Sequence, residues 1–208
     1  SVEKLSGCSR TDSGVHATAY RVSFSTDKTL SDDTVIRALN ANLPDDVAVF
    51  ECRTVSPGFH ARYSVTSKKY EYRIYTSPVR DPFKNGLFLH YPQKIDGEML
   101  NASCRDFCGT HDFSSFMASG SKITDTVRTV YDASFYSPCE NEYVFSVTAN
   151  GFLYNMVRIM VGTLLEIQSG KLPVGCIPSI IEKKDRSFAG FTAPPDGLYL
   201  CEVRYDKY

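Results

Sequence analysis

Residues 126–149 read TVRTVYDASFYSPCENEYVFSVTA, and residues 151–168 read GFLYNMVRIMVGTLLEIQ. Apolar and polar residues alternate over Thr126–Tyr136 and again over Tyr143–Ala149, which predicts a hairpin closed by a loop at Ser137–Glu142. The segment Gly151–Gln168 is apolar around most of a helical circumference, so we expect a long buried helix there. A hairpin followed by a helix favours the α+β class with a mostly antiparallel sheet.

The flanking sequence adds strands and helices that fit the same class. We predict strands over Thr18–Phe24, Val47–Val55, Lys68–Tyr75 and Leu198–Tyr205. We predict helices that run from an N-cap at Ser31 to Asn40, from an N-cap at Asp96 to a stop at Gly109, and over Val174–Glu182. The order strand–helix–strand early in the chain, and hairpin–helix–strand late, indicates two similar halves.

Composition excludes several classes of protein. The chain has 208 residues, of which 42% are hydrophobic and 23% charged, so it is not a disordered tail, a collagen-like fibre or a coiled-coil rod. The formal net charge of −1 means that any site for a polyanion must be a local patch. Seven scattered cysteines, with no CxxC pair, favour neither a disulfide framework nor a metal site. The most apolar stretch, Gly151–Ile167, is too short and too polar to span a bilayer.

The loop Gly7–Ala17 is the first candidate functional segment. It places Arg10 and Asp12 among hydroxyl side chains, between two glycines and directly before a predicted strand. Glycine allows a ligand to approach the backbone closely, and hydroxyl and N–H donors can hold an ionised carboxylate. The alternative is a polar turn in which Asp12 caps its own backbone.

Arg158 is the second candidate, because it lies within the apolar segment predicted to form the buried helix. A guanidinium in such a place requires a carboxylate or phosphate partner. The alternative is that Arg158 lies on a narrow exposed stripe and reaches the surface. The sequence does not identify the acid that pairs with it.

A third candidate is the stretch Arg53–Tyr75, where five cations and one acid give a local charge of +4. Several aromatic residues are interleaved with these cations, and cations with aromatics supply phosphate contacts and base stacking. In the predicted strand, Lys68 and Tyr70 share one face. The alternative is a solvated edge strand with a polar face.

These segments together resemble the tRNA pseudouridine synthase A (TruA) family. The segment RTDSGVHA, residues 10–17, is similar to the family's catalytic motif, usually GRTDAGVHA, with Ser9 and Ser13 in place of Gly and Ala. Further similarities follow in family order from residue 7 to the end of the chain. They are FHARYS at 59–64, KYEYRI at 69–74, HDFSSF at 111–116, NMVR at 155–158, VGTLLE at 161–166 and TAPPDGLYL at 192–200.

The resemblance implies a fold and its organisation. We expect an α+β structure of two ferredoxin-like (RRM-like) halves, with helices packed on one face and a catalytic cleft between the halves. The N-terminal half would be residues 1–57, which carry the Asp12 loop, and the C-terminal half residues 58–208. Family members begin with a strand and a YDGTxFxGWQ-like segment ahead of the RTD motif, so we expect the N-terminal half to be truncated here.

The resemblance also implies an activity, the isomerisation of uridine to pseudouridine in the anticodon arm of tRNA at positions 38 to 40. Asp12 would be the nucleophile, attacking the base or the sugar C1′. Arg158 would pair with Asp12, and Tyr70 would pack on the target base and take part in proton transfer from C5. The residues expected to bind the substrate are Tyr70, Arg10, Arg62 and Lys68, whereas His16 and His60 are expected to be structural or to contact RNA.

The expected partners follow from the same resemblance. They are tRNA and a second copy of the chain in a homodimer, with no membrane, cofactor or metal, and the expected location is the cytoplasm. The alternative hypothesis is a non-catalytic RNA-binding module or an inactive truncated homologue, since folds of this kind also bind RNA by stacking alone.

Overall fold

The computed structural model describes residues 2–121 and 123–206, and a sheet of seven strands forms its centre. The strands described are β1 (Val2–Gly7), β2 (His16–Ala17), β3 (Val22–Thr26), β4 (Val65–Thr76), β5 (Leu89–Tyr91), β6 (Gly109–Asp112), β7 (Val127–Cys139), β8 (Glu142–Ala149) and β9 (Leu198–Tyr205). The helices described are α1 (Asp32–Asn40), α2 (Gly97–Cys104), α3 (Met156–Gln168) and α4 (Ile177–Lys183), with short 3₁₀ turns at Pro82–Lys84, Arg105–Phe107, Ser114–Phe116 and Arg186–Phe188.

The seven-stranded sheet has the order β2–β9–β4–β8–β7–β6, and β5 pairs with the end of β4. The pairs β4–β8, β4–β9, β6–β7 and β7–β8 are antiparallel, whereas β2–β9 and β4–β5 are parallel. The predicted α+β class with a mostly antiparallel sheet is therefore confirmed. Strands β1 and β3 form a separate two-stranded antiparallel sheet.

The core lies between the sheet and α3. Helix α3 buries all its residues except Arg158, Glu166 and Gln168, which agrees with the apolar pattern around its circumference. On β4, Tyr70 and Tyr72 are buried and lie opposite Val147 and Phe145 of β8. Cross-strand aromatic and β-branched pairs of this kind stabilise a sheet and fix its register.

Helix α3 also packs against the segment that precedes β9. A Cβ on Gly162 would lie 1.8 Å from the carbonyl oxygen of Phe191, so only glycine allows this approach. The Thr163 hydroxyl accepts a hydrogen bond from the N–H of Gly190 at 2.9 Å, close to the same contact. The backbone of residues 190–193 is thereby held against α3, near the end that carries Arg158.

The segment that contains β1, β3 and α1 is less buried than the rest. The Ser31 side chain caps α1 as predicted, since its hydroxyl accepts a hydrogen bond from the N–H of Thr34 at 3.3 Å. No residue of α1 is buried, however, and Leu39 on its apolar side is 39% exposed. Most of the stabilisation that comes from burying apolar side chains is therefore contributed by the seven-stranded sheet and α3.

The predicted strand Val47–Val55 is wrong, because residues 47–55 have no ladder partner among the described residues. The Asn40 side chain instead bonds both backbone groups of Val49, donating to its carbonyl and accepting from its N–H at 2.7 Å each. β-Branched residues favour extended backbone, but a strand also needs a neighbouring backbone to pair with.

Other boundaries differ from those predicted. The strand predicted over Thr18–Phe24 is β3, which begins at Val22, and the hairpin strands β7 and β8 extend into the predicted loop to leave a two-residue turn. Helix α2 ends at Cys104 rather than at Gly109, whose φ of 113° lies at the start of β6. The long helix begins at Met156 rather than Gly151, and α4 covers Ile177–Lys183.

In the part of the chain that the structure describes, no helix is both long and apolar enough to cross a membrane.

Candidate active site

A cavity of about 550 Å³ opens between the Asp12 loop, β4 and the start of α3. Its described lining includes four cations and one carboxylate, which leaves a net formal charge of +3. A concave site with this charge attracts anionic ligands even though the chain as a whole carries −1. The charged lining residues are Arg10, Asp12, Arg62, Lys68 and Arg158.

Asp12 and Arg158 form an ion pair in this cavity, 146 residues apart in the sequence. The Nη1 of Arg158 donates to Oδ2 of Asp12 at 2.8 Å. The Arg158 side chain is 15% exposed, and the Asp12 side chain is 35% exposed. The guanidinium of Arg158 therefore lies mostly within the protein, while the carboxylate keeps an open side toward the cavity. An ionised carboxylate in this position is available to react with a ligand.

Two further contacts fix the orientation of Arg158. Its Nε donates to the carbonyl oxygen of Ala193 at 2.7 Å, and its Nη1 also donates to Oδ1 of Asn155 at 3.0 Å. Asn155 lies directly before α3 in the left-handed conformation, with φ of 58°. The two contacts and the ion pair together hold the guanidinium in one geometry.

The Asp12 loop is shaped by tight packing at both of its ends. Gly7 lies against the Tyr20 ring, and a Cβ there would come within 2.3 Å of the phenol oxygen. Gly14 adopts φ of 82°, in the turn where the N–H of Val15 donates to the carbonyl of Asp12 at 3.1 Å. These glycines meet the conformational and packing needs of the loop that presents Asp12.

Tyr70 lies beneath the cavity on β4 and is 6% exposed. Its hydroxyl is 3.0 Å from the Ser9 hydroxyl, and the Phe152 ring meets its ring edge-on with centroids 5.1 Å apart. Burial raises the pKa of Tyr70 to about 12, although the hydrogen bond with Ser9 partly opposes that shift. The phenol is therefore protonated at neutral pH.

Lys68 lies on β4 beside Tyr70 and reaches the same serine, with its Nζ 3.5 Å from the Ser9 hydroxyl. Burial lowers the pKa of this lysine, because desolvation disfavours the ammonium form. Arg10 and Arg62 also line the cavity, and both residues are exposed. The structure thus brings together all six predicted site residues: Arg10, Asp12, Arg62, Lys68, Tyr70 and Arg158.

The two histidines singled out from the sequence lie away from the Asp12 carboxylate. The His16 ring stacks on Tyr199 with centroids 4.5 Å apart, and its Nε2 is 2.7 Å from the carbonyl oxygen of Gly86. His60 borders a smaller hollow beside the main cavity. Neither ring is among the lining of the main cavity.

Asn155, Ser9 and Phe152 belong to the site but were not predicted individually from the sequence. For Asn155 a signal was present, since it lies three residues before Arg158, a spacing at which helical side chains meet. Ser9 and Phe152 both contact Tyr70, although they lie 61 and 82 residues from it in the sequence. Contacts of that range depend on tertiary structure, so local spacing does not show them.

Comparison with known proteins gives matches over nearly the whole chain. A family model described as tRNA pseudouridine synthase matches residues 103–206. A protein of Geobacillus sp. (strain WCH70) named tRNA pseudouridine synthase A is 43% identical over 204 residues, which are 98% of this chain and 82% of that protein. Proteins of the same name from Latilactobacillus sakei subsp. sakei (strain 23K) and Ligilactobacillus salivarius (strain UCC118) are 46% and 47% identical, covering 96% and 97% of this chain and 80% and 79% of theirs.

The chain belongs to the tRNA pseudouridine synthase A family. The family model matches the half of the chain that includes α3 and β9, so it contains Arg158 but begins after Asp12 and Tyr70. The similarity to the tRNA pseudouridine synthase A of Geobacillus leaves only 2% of the chain outside the match, too little for Asp12 to lie beyond it. Both partners of the ion pair therefore lie within the region shared with this family.

Proposed function

We propose that this chain isomerises uridine to pseudouridine in tRNA, at positions 38 to 40 of the anticodon stem-loop. The observation that carries the proposal is the Asp12–Arg158 ion pair, with its carboxylate open to a cationic cavity above Tyr70. The names of the relatives, tRNA pseudouridine synthase A, support the same reaction and substrate.

The reaction breaks the bond between N1 of uracil and C1′ of the ribose, and it forms a bond between C5 and the same C1′. The base must turn between the two steps, while N1 gains a proton and C5 loses one. Atoms and electrons balance within the nucleotide, so the product is an isomer of the substrate. The protein must therefore supply a nucleophile, hold the detached base and manage the two protons.

Asp12 is the proposed nucleophile. Attack on C1′ would give a glycosyl ester with displacement of uracil, and attack on the base at C6 would give an adduct that weakens the glycosidic bond. Both routes use the open side of the carboxylate and regenerate it at the end. Arg158 holds the other side, which orients Asp12 and balances its charge within a mostly enclosed site.

Tyr70 is proposed to pack against the uracil ring beneath Asp12. Because burial raises the pKa of Tyr70 to about 12, its phenol keeps its proton at neutral pH. If its oxygen accepts the C5 proton, it must release its own in the same step; the Ser9 hydroxyl at 3.0 Å can only relay that proton by giving its own to solvent in the open cavity, while N1 of the base takes up one proton in return. Tyr70 therefore has a role in binding the base and a candidate role in proton transfer.

The three remaining cations are proposed to bind the RNA backbone. Arg10, Arg62 and Lys68 line the cavity mouth and floor, where they can contact phosphates on either side of the target uridine. The target base must leave its stack to reach Asp12, which costs a few kcal/mol. Phosphate contacts formed by these cations offset that cost.

Proposals about the whole molecule rest on the same family. The first is that two ferredoxin-like halves, residues 1–57 and 58–208, border the cleft. The second is a homodimer that binds one tRNA across both subunits, and the third is a cytoplasmic location. The local charge of the cavity supports tRNA as the partner. Sedimentation of the chain with and without tRNA tests the homodimer.

The decisive experiment is tritium release from tRNA that carries 5-tritiated uridine. We expect release by the wild type, a loss of roughly 10⁴-fold or more in Asp12→Ala because the nucleophile is removed, and a smaller loss in Arg158→Ala. The control is Asp45→Ala, which removes an exposed carboxylate that does not line the cavity. Equal release by all four proteins would contradict the proposal.

Binding of the same tRNA separates an enzyme from a passive RNA-binding module. We expect Asp12→Ala to bind tRNA at least as tightly as the wild type, since the substitution removes a negative charge that faces phosphates. Tight binding without tritium release by the wild type would favour the passive module.

A further inference from the structure

A second hollow of about 280 Å³ opens beside the main cavity. Ser9, Arg10 and Arg62 line both spaces, so the two adjoin across these residues. We call the second space the flanking hollow. Its other lining residues are Leu5, Ser6, Gly7, His60 and Tyr63.

Tyr63 gives the flanking hollow a large exposed aromatic surface, since the residue is 77% exposed. The ring nevertheless has support, because the His60 ring lies 4.4 Å away, centroid to centroid, at an interplanar angle of 41°. The Arg62 guanidinium carbon is 5.7 Å from the Tyr63 centroid. An exposed ring held by its neighbours can stack on a ligand with little loss of side-chain entropy.

His60 is itself fixed by hydrogen bonds. The backbone N–H groups of Arg62 and Tyr63 donate to its Nδ1 at 3.1 and 3.4 Å, so Nδ1 is an acceptor. The neutral ring then carries its proton on Nε2, which donates to the Ser6 hydroxyl at 3.3 Å. The support beneath Tyr63 is therefore ordered before any ligand arrives.

The charge of the flanking hollow favours an anion. Across residues 2–121 and 123–206, neither Arg10 nor Arg62 has a carboxylate within ion-pair distance. Two exposed guanidiniums beside an exposed aromatic ring provide the contacts that single-stranded nucleic acids use, a phosphate contact and a stacked base.

We propose that the flanking hollow binds the nucleotide next to the target uridine, with its base stacked on Tyr63 and its phosphate between Arg10 and Arg62. This inference rests on the proposed function, because the main cavity then holds the target uridine itself. The shared wall of Ser9, Arg10 and Arg62 places the two nucleotides on either side of a common phosphate site. A stacked neighbour holds the strand open after the target base has left its own stack.

The test uses anticodon stem-loop RNAs with 2-aminopurine on the 5′ or the 3′ side of the target uridine. We expect binding to wild type to change the fluorescence of one of these probes through stacking. Tyr63→Ala should abolish that change and weaken binding roughly 5- to 100-fold, as for loss of one base–aromatic stack. Tyr63→Phe, which keeps the ring, should preserve both, as should the control Tyr131→Ala, whose side chain is exposed and lines neither space.

An RNA that lacks the flanking base provides a second and sharper measurement. With an abasic nucleotide at the position reported by the probe, wild type and Tyr63→Ala should bind equally, because the contact is already absent. A Tyr63→Ala defect that persists with the abasic RNA, or an unchanged probe signal in Tyr63→Ala, overturns the proposal. Tritium release by the wild type is scored separately, so failure of the flanking hollow is distinguishable from failure of the proposed function.

Discussion

Asn155 combines an unusual backbone conformation with a contact to Arg158. Its φ of 58° lies in the left-handed region, where asparagine is tolerated better than most residues, and this conformation ends the irregular segment before α3. From there its Oδ1 accepts a hydrogen bond from Arg158 at 3.0 Å. We infer that Asn155 is a positioning residue that acts on Asp12 through Arg158.

We predict that Asn155→Gly lowers the rate of pseudouridine formation roughly 10-fold while tRNA affinity stays within about twofold. Glycine accepts the left-handed backbone without strain but removes a hydrogen bond to a charged group, a contact of about 1.5–3 kcal/mol. Asn155→Ala should add a folding cost of about 1 kcal/mol, because alanine tolerates this conformation poorly. Single-turnover rates, tRNA binding and urea unfolding measure the three quantities.

The matched control for this prediction is Asn141→Gly. Asn141 also has a left-handed backbone, with φ of 60°, but it lies in the turn between β7 and β8 and does not line the cavity. Its variant should keep the wild-type rate. Equal rates for wild type and Asn155→Gly would show that Arg158 needs no support from Asn155.

Helices and strands were predicted most accurately from the sequence where their apolar residues form a continuous buried face. Strand β9 was predicted with both ends correct, and the β7–β8 hairpin was predicted with its strands too short. The errors fall where tertiary contacts decide. Residues 47–55 have the composition of a strand but form no ladder with another strand among the described residues, and residues 152–155 continue the mostly apolar segment of α3 but line the cavity instead of extending the helix.

Strand β1 and the parallel pair β2–β9 could not be predicted from local sequence pattern. Strand β2 has only two residues, His16 and Ala17, and its pairing with Tyr199 and Leu200 joins segments at opposite ends of the chain. Strand β1 has no alternating apolar pattern, and its pairing with β3 is interrupted by a register shift between Glu3 and Ser6. A glycine-flanked loop and an apolar helix indicated Asp12 and Arg158 as candidates, and the resemblance to the family supplied the roles of the site residues, whereas the distances between them depend on these pairings.

Asp112 at the end of β6 joins two distant segments and the turn that follows it. Its carboxylate accepts from the Thr126 hydroxyl at 2.6 Å and the Ser114 N–H at 3.1 Å, and it pairs with Lys184, just beyond α4, at 3.1 Å. These contacts, with the Thr126 hydrogen bond the largest, lower the pKa of Asp112 to about 2. The carboxylate is therefore a tie between β6, the segment before β7 and the end of α4.

We predict that this tie stabilises the fold above about pH 4 and is lost as the pH falls toward 2. The unfolded chain binds the proton first, since the ordinary aspartate pKa is 3.8, so acid favours unfolding over that window. The expected contribution is about 1–2 kcal/mol, reduced because Lys184 is well exposed. Urea unfolding of wild type and Asp112→Asn should differ by that amount at pH 6, and the difference should shrink below pH 4 and largely vanish at about pH 2.

Asp45→Asn serves as the control for pH effects of an exposed carboxylate, and it should follow the wild type throughout. A difference between wild type and Asp112→Asn that stays constant from pH 6 to pH 2 would contradict the assigned pKa.

Across the whole molecule, the site joins two regions of unequal burial. Asp12 lies between β1 and β3, and none of the elements β1, β3 and α1 contains a buried residue. Arg158, in contrast, lies on the well-buried helix α3. The ion pair is thus one of the contacts that fasten the less buried region to the core. Local unfolding free energies follow burial, so the less buried region is expected to open at a lower free energy than the core.

We predict that amide hydrogen exchange is at least 100-fold slower in β4, β8 and α3 than in α1. Arg158→Ala should then raise exchange at the N–H of Val15, which donates to the Asp12 carbonyl, by roughly tenfold or more without changing β8. The control is Arg204→Ala, which removes an exposed guanidinium paired with Glu202 on β9. Unchanged exchange at Val15 in Arg158→Ala would mean that the glycines and Tyr20 alone hold the loop, and that the ion pair acts on the reaction and not on the fastening of the two regions.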